Sequence, residues 1–243
     1  MSSTLEILLG AVLSILTTVV IEALKRPRLK ILETKKITRE YPQYPENSRK
    51  ASFIYGHVIN KPLPKILRFI GRDVAIQCRG KINFYNQDGS SALGSPMHIR
   101  WVNSPEPQLI IVQQKDGKAF GKFSENLHDL QFIDIAPGVT EGFDIVVKIN
   151  DEPEIYGWSN ETYIWSFQNE PSKKWRKPDH KLENTSYFVE VQIYNATAKA
   201  SKFFVLHNPT DPEGFRISSV SNKDKRKLRK LINKYPITEQ TGD

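Results

Sequence analysis

The sequence predicts an all-β domain, an immunoglobulin-like antiparallel β-sandwich, preceded by a single transmembrane helix and followed by a short basic amphipathic helix. Three observations predict it. An uncharged apolar run, Ile7 to Ile21, lies near the N-terminus. Short stretches rich in β-branched and aromatic residues follow, punctuated by Pro, Gly, Asn and Asp, with no helical stripe between them. Near the C-terminus, Leu228, Leu231, Ile232 and Tyr235 recur at i, i+3, i+4 and i+7 within a basic segment. The boundaries follow: 1–27 for the span and its basic stop, 28–220 for the domain, 221–243 for the basic helix and tail.

The first element runs from Thr4 to Leu24, about 31 Å of helix at ~1.5 Å per residue, which matches a hydrocarbon core of ~30 Å. Glu6 and Glu22 bracket the apolar run and fall at the interfaces, where a charge costs far less than at the bilayer centre. A signal peptide needs a positive charge before its apolar run, and none precedes this one. A core helix needs a polar face, and this segment is apolar on nearly every side. Lys25, Arg26, Arg28 and Lys30 follow the span at once. Positive flanks stay inside, so the expected topology has the N-terminus outside and the domain cytoplasmic. Pro27 stops the helix.

The domain's strands are expected at Leu29–Thr34, Ser52–Asn60, Asp73–Tyr85, Met97–Val102, Leu109–Gln113, Leu130–Ile135, Phe143–Ile149, Tyr163–Phe167, Tyr187–Tyr194 and Lys202–Leu206. In the long stretch Asp73–Tyr85, Gly80 marks an expected bulge. Strands without intervening helices argue for antiparallel sheets, with the sandwich as first choice and a closed barrel as second. In the last element Ser221 and Asp224 form a cap, and Lys225, Arg226, Lys227, Arg229 and Lys230 surround the apolar stripe. Such a helix packs its stripe on the domain, lies on the anionic inner leaflet, where each Lys or Arg contributes ~1 kcal/mol, or meets nucleic acid or an acidic protein.

Charge distribution sharpens this picture. The net charge is +8, yet Ile37 to Ser221 holds 22 basic and 21 acidic residues. Basicity sits in the two flanking segments, which suits a membrane surface and argues against duplex nucleic acid. One cysteine, Cys78, excludes an internal disulfide and a zinc site built on cysteines.

Several fragments together resemble a group of archaeal and bacterial uncharacterised membrane-anchored proteins: FIYGHVINK at Phe53–Lys61, IQCRGKINFY at Ile76–Tyr85, Ile99-Arg100-Trp101, DIAPG at Asp134–Gly138, and YGWSNETY at Tyr156–Tyr163. That resemblance implies one N-terminal membrane helix and a β-rich domain, and no activity.

The chemistry-bearing residues are sparse. The five histidines (His57, His98, His128, His180, His207) show no metal-ligand spacing, and no nucleophile elbow or phosphate loop occurs. Asp151, Glu152 and Glu154 form an acidic loop, read as a solvated turn over a calcium loop, which needs ligands from several loops. Trp158, Trp165 and Trp175, with Lys173, Lys174, Arg176 and Lys177, read as core aromatics beside a soluble loop. Sequons stand at Asn160, Asn184 and Asn195. The expected function is therefore a membrane-tethered cytoplasmic binding or scaffold module, without catalytic residues or cofactors. Its membrane-surface residues are Lys25, Arg26, Arg28, Lys30, Lys225, Arg226, Lys227, Arg229 and Lys230. Trp158, Asn160 and Tyr163 are the candidate contacts for a protein partner. The rivals are an extracytoplasmic carbohydrate- or envelope-binding domain with inverted topology, and a hydrolase.

Overall fold

Alternating apolar side chains build two antiparallel sheets that share one core. The structure, a computed structural model, describes residues 2–44, 47–103, 109–115, 118–123, 132–168, 175–209 and 211–235. It opens with α1 (Ser2–Lys25), the apolar N-terminal helix.

The first sheet has the order β1 (Leu29–Ile31), β3 (Asn47–Asn60), β9 (Thr140–Ile149), β10 (Ile155–Gly157), β11 (Lys181–Leu182), and β2 (Lys35–Tyr44) also pairs with β3. The second has the order β14 (Arg216–Ser219), β13 (Lys199–His207), β12 (Ser186–Tyr194), β4 (Ala75–Tyr85), β5 (Met97–His98), with β8 (Ile133–Ile135) against the start of β4. A separate hairpin joins β6 (Leu109–Lys115) to β7 (Lys118–Phe123). Ile54, Val58, Phe143 and Ile145 of the first sheet meet Ile82, Phe84, Val191 and Phe204 of the second in one buried cluster. Full burial of each such side chain stabilises by roughly 1.5–3 kcal/mol.

The chain departs from expectation at identifiable places. Tyr163–Phe167 is not a strand but part of α2 (Asn160–Gln168). Its β-forming side chains are overruled by a local cap: the Ser159 hydroxyl accepts from the Thr162 amide at 3.2 Å, satisfying a donor of the first turn. Gly80 is not a bulge. It pairs in regular register with Ile193, and glycine is required because a Cβ there would lie 2.2 Å from Ile99 Cδ1. The register break lies earlier, between Ala75 and Cys78, where Gln77 takes a φ of 51°. The strand expected at Met97–Val102 ends at His98, and Trp101 makes a lone bridge to Phe143. Of Leu130–Ile135 only Ile133–Ile135 is strand among the described residues.

α3 (Asn222–Ile232) forms at the C-terminus as expected, with the Ser221 side chain accepting from the Asp224 amide. It packs on the second sheet. Leu228 is 2% exposed, and Lys225 Nζ and Arg229 Cζ lie 5.7 and 5.8 Å from the centre of the buried Phe203 ring. Gly89 leaves room for the helix, since a Cβ there would meet the Leu231 carbonyl carbon at 2.9 Å.

Candidate membrane-proximal site

α1 is long and apolar enough to cross a membrane, and none of it is buried against the domain. Two of its hydroxyls are satisfied within the helix. Thr17 and Thr18 donate their hydroxyls to the Leu13 and Ser14 carbonyls, at 2.8 and 2.9 Å, as a low-dielectric surrounding demands.

The helix end is fixed to the domain by polar contacts. The Lys25 carbonyl accepts from the Asp73 amide at 2.7 Å. The Arg26 carbonyl accepts from Arg72 Nη1 at 2.5 Å. Both acceptors belong to the orphan carbonyls of a helix C-terminus. Pro27 is buried. The Arg28 amide donates to Asn60 Oδ1 at 3.0 Å, and Lys61 returns an amide to the Arg28 carbonyl at 2.9 Å. Asn60 itself is fully buried, and its Nδ2 donates to the Asp73 and Ile135 carbonyls. One side chain thus ties the helix exit, β3, β8 and the approach to β4 together.

The predicted cations Lys25, Arg26, Arg28 and Lys30 stand at this junction. Lys25 pairs with Glu22 at 3.3 Å, while Arg26, Arg28 and Lys30 are exposed. Other cations join them. An open groove of ≈ 530 Å³ is lined by Arg28, Lys30, Lys61 and Lys199. A second, ≈ 490 Å³, is lined by Lys30, Lys35 and Lys202 beside Glu33 and His57. Lys202 donates to the Leu32 carbonyl at 3.0 Å, and burial lowers its ammonium pKa against the opposing pull of Glu33. Sequence reasoning missed Lys61, Lys199 and Lys202. They are scattered along the chain, and only strand register gathers them.

The second basic group borders the first only at β13, where Lys202 precedes the Phe203 ring that Lys225 and Arg229 cover. Arg226, Lys227, Arg229 and Lys230 are exposed on α3, and Lys225 is half-buried. The end of that helix meets Gly89, beyond the last residue of β4, whereas α1 leaves beside the first.

The YGWSNETY motif holds α2 against the first sheet. Trp158 and Asn160 are buried, at 6% and 7% exposure, and Tyr163 is half-buried. Trp158 meets Trp175, Phe53 and Tyr163 edge to face. Arg100 lies 4.6 Å from the Tyr163 ring centre and bonds Asp144 at 2.6 Å. Burial raises the Asp144 carboxyl pKa, while Arg100 and the Trp158 indole pull it back. Nearby, Thr162 Oγ1 lies 2.7 Å and Ser159 Oγ 3.4 Å from His180 Nδ1. All three are buried, and the Thr162 hydroxyl also donates to the Gly157 carbonyl. This cluster staples α2 to the sheet and presents no exposed nucleophile.

The remaining candidates are ion-paired or inert. Glu152 is held by Arg176 and Arg49, and Glu154 by Lys181. Lys177 pairs with Glu161. Burial, then Asp134, pushes the Cys78 thiol up to about 12. Asn160, the first sequon, is buried and so closed to a glycan. Among the described residues no group of three His, Cys, Asp or Glu could hold a metal ion; His128, Lys173 and Lys174 lie outside them.

No family model, curated protein or solved structure matches the chain. The site is therefore read from its own geometry.

Proposed function

We propose that this chain is a single-pass, membrane-tethered binding module, an immunoglobulin-like β-sandwich carried on the cytoplasmic face, which offers its surface to a protein partner. The observation that carries the reading is the contrast within α1. A membrane-length stretch of it is wholly unburied, while the residues at its end are bonded into the domain at Lys25, Arg26 and Arg28. A cleaved leader has no use for such a joint.

The cytoplasmic assignment rests on the cations. None precedes the span, and Arg26, Arg28 and Lys30, with Lys61 and Lys199, surround its exit. Their grooves suit the phosphates of an anionic leaflet. The sandwich assignment rests on side chains of both sheets meeting in one core. For the partner, Tyr163 and the exposed Glu161 are the parts of the distinctive motif with accessible atoms. Trp158 and Asn160 act beneath them, by setting where α2 lies.

Topology decides the reading. In intact cells, an external protease should leave the domain whole and cut it only after permeabilisation. Crosslinking in the same cells should then capture a cytoplasmic protein, with yield lowered by Glu161→Lys. Digestion from outside would transfer the domain to the other face and replace this reading with an envelope-binding one.

A further inference from the structure

Apart from α1, the exposed large apolar side chains are not spread evenly over the described residues. Of the seven, Ile66, Phe69, Val74, Ile76 and Val139 lie in three short segments near the helix exit, and Val102 and Tyr235 lie elsewhere. Asp73 bonds Lys25, Arg72 bonds Arg26, and Gly138 donates its amide to the Asn60 carbonyl at 2.8 Å. Ile66 and Phe69 are the extreme cases, 86% and 84% exposed. Both sit on a single 3-10 turn, Lys65–Ile70, between Pro64 and Gly71.

The turn's period explains the arrangement. A 3-10 helix has three residues per turn, so i and i+3 share a face. KILRFI therefore sorts into three pairs. Leu67 and Ile70 are half-buried and hold the turn to the protein, helped by Leu63, which is buried before it. Ile66 and Phe69 project together into open space. Lys65 and Arg68, both exposed, flank them. The backbone is pinned by Leu67 N to Pro64 O at 2.9 Å and Gly71 N to Arg68 O at 3.1 Å.

We infer that this turn is a membrane wedge: Ile66 and Phe69 insert into the headgroup–acyl boundary of the leaflet that α1 leaves, with Lys65 and Arg68 reaching lipid phosphates. The inference rests on the tethered reading of α1, and goes beyond it by giving the domain a second lipid contact. Two large apolar residues with cations alongside is the composition of an interfacial anchor. The site's position selects the bilayer as occupant, because the turn lies close to α1 and runs into Arg72 and Asp73, which bond the Arg26 and Lys25 carbonyls at its end. With two contacts the domain is held in one orientation, and its partner-facing surface keeps a constant aspect to the membrane.

The test uses the full chain with Cys78→Ser, reconstituted in phosphatidylcholine vesicles containing a quarter phosphatidylglycerol. A single cysteine is placed by Ile66→Cys, Phe69→Cys, Lys227→Cys or Leu13→Cys and labelled with a polarity-sensitive fluorophore. Lipids carrying a nitroxide near the headgroup should quench the labels at 66 and 69 roughly twofold, the depth of an interfacial element, and leave the label at 227 unchanged. A deep nitroxide should quench the label at 13. If 13 is quenched while 66 and 69 respond only to aqueous iodide, the wedge is overturned and the tether stands. If 13 is not quenched, the tether fails and the wedge with it.

Discussion

The backbone amide of Asp73 lies 2.7 Å from the carbonyl oxygen of Lys25 and donates to it. Through this one bond the residue that ends the apolar helix and the residue that leads into β4 become a single joint. A flexible linker would let the domain tumble beneath the membrane. Here the chain passes from helix to sheet within three residues, Arg26 to Arg28, and each makes a backbone contact or is buried.

Asn60 is the residue on which that joint turns. Replacing it by alanine leaves the Arg28 amide and the Asp73 and Ile135 carbonyls without their present partner. Buried groups left unpaired cost ~1–3 kcal/mol each. Asn60→Ala should destabilise the chain by about 3 kcal/mol, a fall in Tm of ~6–12 °C for a domain this size. Thermal unfolding of the full chain in detergent reads it. A change within a degree or two would show that water replaces the side chain and that the joint is not held there.

The contrast between Asn60 and β2 says what the sequence could and could not convey. β3, β4, β12 and the capped C-terminal helix announce themselves by period, because one side of each is buried, whereas the N-terminal helix and β9 are read from unbroken apolar runs. β2 reads KKITREYPQY and lies at a sheet edge, where little burial imprints a pattern. α2 reads as a strand until Ser159 caps it. Asn60 was visible only as the end of a strand, and its three bonds come from partners 13, 32 and 75 residues away. Ile66 and Phe69 were missed for the opposite reason: a six-residue 3-10 turn is too short for a helical pattern, and its apolar residues face outward.

His180 makes stability depend on pH. Burial, then the charge of Lys177, holds its pKa below the ordinary 6.5, while Glu161 and Asp179 pull the other way. The unfolded chain therefore takes up a proton that the folded chain refuses. Stability is full above pH 6.5 and is lost as pH falls below it, until the folded imidazole also titrates. His180→Asn, which keeps a polar group facing the Thr162 hydroxyl, should flatten this fall. The slope removed is at most about 1.4 kcal/mol per pH unit. Denaturant midpoints at several pH values for both proteins give the comparison, and parallel curves would refute the assignment to His180.

Cys78 should be silent toward thiol reagents in the folded chain. It is fully buried, its Sγ faces the Ala75 carbonyl at 3.3 Å, and its pKa is pushed to about 12. At about pH 8 almost no thiolate exists, and the reagent cannot reach it. Iodoacetamide should label the unfolded chain fully and the native chain by no more than a few per cent in the same time. Rapid native labelling, read by mass, would mean that β4 opens near its register break.

The last helix separates two accounts of its own charge. Of its apolar stripe Leu228 is buried over the second sheet, Leu231 and Ile232 are half-buried and Tyr235 is exposed, and Lys225 and Arg229 cover Phe203. Leu228→Ala should then cost about 3 kcal/mol, as buried Leu truncations do, and lower Tm by ~6–12 °C in detergent. Arg226→Gln, Lys227→Gln and Lys230→Gln should each change stability by no more than ~0.5 kcal/mol, as exposed substitutions do. With α1 deleted, they should also leave binding to anionic vesicles unchanged, because Leu228 holds the helix on the second sheet. The reverse pattern would place the helix on lipid: a silent Leu228→Ala, and a charge triple that weakens vesicle binding once α1 is deleted.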